Sequence, residues 1–203
     1  EDFSWSAEML DLLGIPDGLL PRVRPSGAPF GRTEPNLFGR SIPILSAIGD
    51  QQAALVGQAC LAPGTAKITY GTGAFLVANT GQDVPRSENR LLGTRGYGNQ
   101  GALEGAFFYA GSVIQWRRDE MGLIADAPAS EAKAAALADN GGVYLVPAFT
   151  GLGAPHWDAN ARGTISGLTR AATADHNVRA GLEAAAYQTH ELLDAFAADG
   201  ADV

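Results

Sequence analysis

A mixed α/β fold follows from three features of this sequence. An apolar run without alternation, Ile42-Pro43-Ile44-Leu45-Ser46-Ala47-Ile48, has the pattern of a strand buried on both faces. It passes directly into a helical pattern from Gln51 to about Cys60. Two short strand patterns then flank Gly71-Thr72-Gly73, and a long amphipathic helix closes the chain. The whole order reads strand, helix, hairpin, meander, helices, strand, helix.

Phe3, Met9, Leu10 and Leu13 are spaced as on a short helix that stops at Gly14. Residues 14–40 hold five prolines and five glycines, too broken for a long element, and read as a connecting arm with at most one short strand. Pro63-Gly64 stops the helix begun at Gln51. Strands are expected at Ala66–Tyr70 and Ala74–Ala78, a weak strand within 81–100, and another at Leu103–Tyr109. Val113, Trp116 and Met121 mark a helix over 112–121, and an alanine-rich helix over 130–138 ends at Asn140-Gly141-Gly142. Short strands at 143–147 and 163–168 bracket a glycine- and proline-rich loop, 149–161. The last helix runs from near Thr173 to about Ala198, with Val178, Leu182, Ala185, Thr189, Leu193 and Phe196 as its inner face and Gly181 as a small cost within it.

Apolar residues make up 46% of the 203 and charged residues 18%, the balance of a globular chain. No apolar run reaches the roughly 18 residues of a spanning helix, and no basic-then-apolar leader is visible. A net charge of −8 argues against nucleic acid and against an anionic membrane as partner. It leaves room for a nucleotide, whose phosphates are held by backbone N–H groups. The single Cys60 excludes an internal disulfide and a multi-cysteine metal site. His156, His176 and His190 show no zinc spacing, so no protein-held metal is expected. A soluble, cytoplasmic protein is the expectation. A core that starts at residue 42 after a proline-rich arm, and a chain that stops after a long helix, suggest part of something longer.

Four stretches could carry chemistry. Tyr70-Gly71-Thr72-Gly73-Ala74-Phe75 could turn through positive φ and present N–H groups and the Thr72 hydroxyl to a phosphate. An ordinary hairpin explains the same six residues and is the default for them alone. Asp50 could cap the helix that follows or face a ligand at a strand end, and the two readings are even. Gln51 and Gln52 add hydrogen-bonding capacity suited to hydroxyls. Gly111 sits at the mouth of a helix with Gln115 one turn in, a nucleotide contact or simply a tight turn. The loop from Pro147 to Asp158 could line a cleft, but His156 receives no catalytic role, and Asp158 could pair with Arg162.

Taken in order, GDQQAALVGQ (49–58), PGTAKITYGTGAFLVANTG (63–81), GSVIQWRRDEMGLI (111–124), VYLVPAFTGLGAPHWDANARGTISGLTR (143–170) and HNVRAGLEAAAYQTHELLDA (176–195) resemble the FGGY carbohydrate kinase family. The resemblance covers nearly the whole chain and implies an incomplete actin-like ATPase (ribonuclease H-like) domain, a mixed sheet with flanking helices. Residues 1–40 would be the arm entering that domain and 41–203 part of the C-terminal kinase domain.

The implied activity is ATP- and Mg²⁺-dependent phosphorylation of glycerol to glycerol 3-phosphate. Asp50 matches the catalytic base, Asp50 and Gln51 the groups on the polyol hydroxyls, and Phe75 an apolar wall against the carbon chain. Gly71, Thr72 and Gly73 match the phosphate-binding hairpin, and Gly111 and Gln115 match nucleotide contacts. The family's first-domain phosphate loop, its Arg-Glu pair for the polyol and its later adenosine segment have no counterpart here. The 203 residues alone are therefore expected to be inactive. A kinase for another polyol or sugar, such as xylulose or gluconate, and a non-catalytic domain fragment are the alternatives. Family members are often dimers or tetramers, which leaves room for a homo-oligomer.

Overall fold

The computed structural model describes residues 3–201 and 203. The chain divides into two compact units. One takes in the chain up to Asp50 together with Tyr97–Asn99, the other Gln51–Gly96 and Gln100–Val203.

In the first unit, α1 (Ala7–Leu13) is capped at both ends, as its sequence requires. The Ser6 hydroxyl accepts from the Met9 amide, and Gly14 in the left-handed region returns its N–H to the Asp11 and Leu10 carbonyls. Helix α2 (Pro35–Phe38) starts on a proline and stops at Gly39. Strands β1 (Gly31–Arg32) and β2 (Pro43–Ile44) pair antiparallel, Gly31 opposite Ile44.

The run 42–48 is thus not a doubly buried strand. Only two of its residues are strand, both are exposed, and Leu45 is 62% exposed. Pro43 has no N–H to donate, which restricts this segment to an edge with one partner.

The second unit is built on a four-stranded antiparallel sheet in the order β3 (Ala66–Tyr70), β4 (Ala74–Gly81), β6 (Gly101–Phe107), β5 (Leu92–Arg95). Alternation along β4 splits the core between two faces. Leu76 and Ala78, with Leu103 and Phe107 of β6, pack on Leu192 and Phe196 of the long helix α6 (Ala174–Ala198). Val77 and Ala102 face the other way, onto Leu55 of α3 (Asp50–Gly57) and Cys60. Buried Asn79 ties this second layer together, donating to the Cys60 carbonyl and the Gln100 side chain and accepting from the Gly81 amide.

Helices α4 (Gly111–Asp119) and α5 (Ala129–Ala135) and the antiparallel pair β7 (Tyr144–Val146) and β8 (Thr164–Ser166) complete the unit. Thr173 and His176 form a capping box at the start of α6. The buried residues of α6 are Val178, Ala180, Gly181, Ala184, Leu192, Ala195 and Phe196. Leu193, expected inside, is 37% exposed, and Thr189 bonds the Ala185 carbonyl and the Tyr70 hydroxyl.

Gly181 accounts for part of this rotation. A methyl group there would lie 2.5 Å from Cζ of Arg117, whose side chain is fully buried between α4 and α6. Arg117 Nε donates to the Asn177 carbonyl and to Asn177 Oδ1, both at 3.0 Å. Its two terminal nitrogens find no hydrogen-bond partner among the described residues, and burial lowers its pKa to about 10.

Candidate functional site

Gly71-Thr72-Gly73 joins β3 to β4, and its carbonyls, rather than its N–H groups, define the local architecture. The Gly71 carbonyl accepts from the Gly111 amide at 2.9 Å. The Thr72 carbonyl accepts from the Ala110 amide at 2.8 Å, the Ser112 amide at 3.3 Å and the Ser112 hydroxyl at 2.7 Å. The hairpin tip is thereby stitched onto the start of α4, and amides that a helix N-terminus otherwise leaves unpaired are occupied.

Neither Gly71 nor Gly73 adopts the positive φ that the sequence suggested; Gly73 answers to crowding instead, while a Cβ on Gly71 would meet open space. A Cβ on Gly73 would fall 2.4 Å from the Phe107 carbonyl oxygen, and one on Gly111 2.7 Å from that of Gly71. Both clashes are with backbone, which cannot give way. The Thr72 side chain is exposed and takes no hydrogen bond among the described residues. Gln115, also exposed, lies one turn into α4 from Gly111, on the same side of the helix. Gly71, Thr72, Gly73, Gly111 and Gln115 thus belong to one continuous rim.

A second cluster forms on the α3 face of the sheet. Lys67 and Thr69 stand opposite Val77 and Phe75 in the β3–β4 register. Lys67 is 5% exposed, and its ammonium donates to Gln51 Oε1, to Thr69 Oγ1 at 2.9 Å and to the Phe75 carbonyl at 3.3 Å. Gln51 and Phe75, matched by resemblance to polyol contacts, are both half-buried and joined through this one lysine. Gln52 Nε2 reaches Thr94 Oγ1 at 3.4 Å. Asp50, exposed, is the first residue of α3, where a carboxylate complements the helix dipole. It is the last residue of the first unit and precedes Gln51 directly in the chain.

The sequence reading missed Lys67 and Ser112. Lys67 left a signal, a cation alternating with Thr69 on a strand whose other face is apolar. Ser112 left none, since its role is to bond a carbonyl 40 residues away. Asp158 and Arg162 do not pair. Asp158 accepts from the Asn160 and Ala161 amides, while Arg162 donates to the Ala159 and Ala161 carbonyls. His156 lies 3.3 Å from Glu191, away from both clusters in its bonding. Among the described residues no group of three or more His, Cys, Asp or Glu converges to hold a metal ion.

The second unit is thus a sheet flanked by helices, with a glycine hairpin locked to a helix start. Models of the FGGY family of carbohydrate kinases match the chain twice, the N-terminal domain over residues 1–57 and the C-terminal domain over 66–203. The chain belongs to the FGGY family of carbohydrate kinases.

It is 55% identical over 201 residues to a glycerol kinase of Rhodospirillum centenum, covering 97% of this chain and 40% of that protein. It is 56% identical over 199 residues to a glycerol kinase of Alcanivorax borkumensis, covering 96% and 40%. The chain thus spans about 40% of the length of the curated relatives it matches. Among solved structures, a Plasmodium falciparum glycerol kinase with ADP superposes with a TM-score of 0.86 at 37% identity, over 98% of this chain and 41% of that one. A xylulose kinase of Brucella ovis superposes at 0.82 with 24% identity, over 97% and 42%, which speaks for fold alone. The fold is that of the actin-like ATPases.

Proposed function

We propose that this chain is part of a kinase that transfers the γ-phosphoryl group of ATP to a terminal hydroxyl of glycerol, giving glycerol 3-phosphate. The observation that carries the reading is the identity of about 55% to glycerol kinases across nearly all of the chain.

Asp50 is the proposed base. An exposed carboxylate at the first helical turn is placed to accept the hydroxyl proton as the oxygen attacks phosphorus. Gln51 and Phe75 are the proposed polyol contacts, one supplying hydrogen bonds and the other an apolar wall. Phosphoryl transfer asks chiefly for alignment and charge stabilisation. Thr72, with Gly71 and Gly73, is suited to this through an exposed hydroxyl on a tip whose Gly73 lies close against the Phe107 carbonyl. Gly111 and Gln115 offer a smooth surface and an amide along the same rim for the nucleotide.

ATP fits the rim in chemistry. Among the described residues no group of three or more His, Cys, Asp or Glu converges on a cation site, and Mg²⁺ would enter as the partner of the phosphate oxygens, neutralising their charge. No described helix is long and apolar enough to cross a membrane, in keeping with a protein that meets its small substrates in water.

The test is Asp50→Asn in the longer chain that carries this segment, followed by glycerol-dependent ADP release. A fall in kcat of roughly 10²–10⁴-fold, with KM for ATP held within about threefold, is expected for loss of a general base. Normal turnover in the variant would remove Asp50 from that role. Xylulose and gluconate in the same assay test the substrate; faster turnover of either than of glycerol would reassign it.

A further inference from the structure

The buried ammonium of Lys67 has a role that neither the family match nor the motif reading supplies. It joins three pieces of one cluster, the Gln51 side chain at the head of α3, the Thr69 hydroxyl on β3 and the Phe75 carbonyl on β4. An ammonium carries donors only, with no lone pair to accept. The atom of the Gln51 amide turned toward it must therefore be Oε1. The flip of that amide, ordinarily ambiguous between oxygen and nitrogen, is fixed by the chemistry of its neighbour. The Nε2 end, which carries two N–H donors, is held away from Lys67.

We propose that Lys67 is the positioning residue that fixes Gln51 as a hydrogen-bond donor to the polyol. The inference rests on the proposed role of Gln51 toward glycerol. The two N–H donors of the Gln51 amide then point away from Lys67, and a hydroxyl that accepts from one of them keeps its own proton for another group. Because Lys67 also grips the Phe75 carbonyl, the donor amide and the apolar wall are set by one side chain, and its low exposure keeps the ammonium from exchanging partners with water. The effect of Lys67 passes through Gln51.

The experiment uses the longer kinase chain with Gln51→Ala, Lys67→Met and the double variant, measuring KM for glycerol, KM for ATP and kcat. Both single variants are expected to raise KM for glycerol about tenfold or more and leave KM for ATP within about twofold. In the Gln51→Ala background Lys67→Met is expected to add less than about twofold, because the two residues act in series. If Gln51→Ala raises KM for glycerol but Lys67→Met does not, the positioning role is overturned while the glycerol reading of Gln51 stands. If Lys67→Met costs the same factor in both backgrounds, its role is structural and the proposal fails. If Gln51→Ala leaves KM for glycerol unchanged, the reading of Gln51 itself falls and takes this inference with it.

Should Lys67→Met not fold, Gln51→Glu serves instead, since a carboxylate still accepts from Lys67 but has no donor to offer. A raised KM for glycerol with an unchanged unfolding midpoint supports the proposal, and an unchanged KM overturns it.

Discussion

Ala59 holds the left-handed conformation that ends α3, with φ at 60°, and it is exposed. The Cys60 amide reaches back to the Leu55 carbonyl and the Ala59 amide to that of Val56, the paired bonds of a Schellman ending. An L-residue pays about 1–2 kcal/mol for this conformation, and glycine returns part of that gain as unfolded-chain entropy. Ala59→Gly should therefore stabilise the protein by about 0.5–1 kcal/mol, read as a rise of roughly 1–4 °C in Tm. A fall in Tm would mean that the methyl group makes contacts the exposed position does not show. At this scale the sequence was legible where a residue type dictates its own conformation, as Gly14 does after α1. It was illegible where the partner is remote: Lys67 alone could not announce Gln51, nor Ser112 the Thr72 carbonyl.

Helices α4 and α6 meet through one large side chain and one missing one. Arg117 lies flat in the space that a side chain at position 181 would fill, with its Nε satisfied by Asn177 and both terminal nitrogens buried without partners among the described residues. A buried charge of this kind costs more in lost hydration than its bonds return, so Arg117→Met should be neutral or stabilising, by up to about 1 kcal/mol.

Gly181→Ala gains about 1 kcal/mol of helix propensity, but its methyl group collides with a guanidinium that has nowhere to go, an overpacking cost of about 1–3 kcal/mol. The single variant should be net destabilising by about 1–2 kcal/mol in urea unfolding, whereas in the Arg117→Met background the same change should stabilise by about 0.5–1 kcal/mol. Equal effects in the two backgrounds would show that Arg117 and Gly181 do not share this space in solution. Element positions were well legible: the hairpin, the two central strands and the four helices from α3 to α6 all lie close to where periodicity set them. The inner face of α6 was not, because apolar spacing alone treats Gly181 as a defect instead of a contact. The run 42–48 misled for the opposite reason, since its apolarity outweighed Pro43, which forbids a central strand.

On the scale of the whole molecule, the five ordered motif blocks made the family legible, because their order and spacing together constrain far more than any one glycine turn. The geometry of the rim was not legible, because it depends on carbonyl-to-amide distances between hairpin and helix. The chain also spans only about 40% of the length of the glycerol kinases it matches. A phosphoryl-transfer site must surround its reactants to align them and keep water from competing for the phosphoryl group. The groups proposed above form one rim and one cluster around Lys67, and both Thr72 and Gln115 face solvent. Residues 1–203 expressed alone should therefore release no glycerol-dependent ADP above the rate of the Asp50→Asn variant, while the longer chain turns over in the same assay. Turnover by the 203 residues, abolished by Asp50→Asn, would mean that these elements suffice to enclose the reaction, with the remaining length of the relatives serving some other purpose than closing the site.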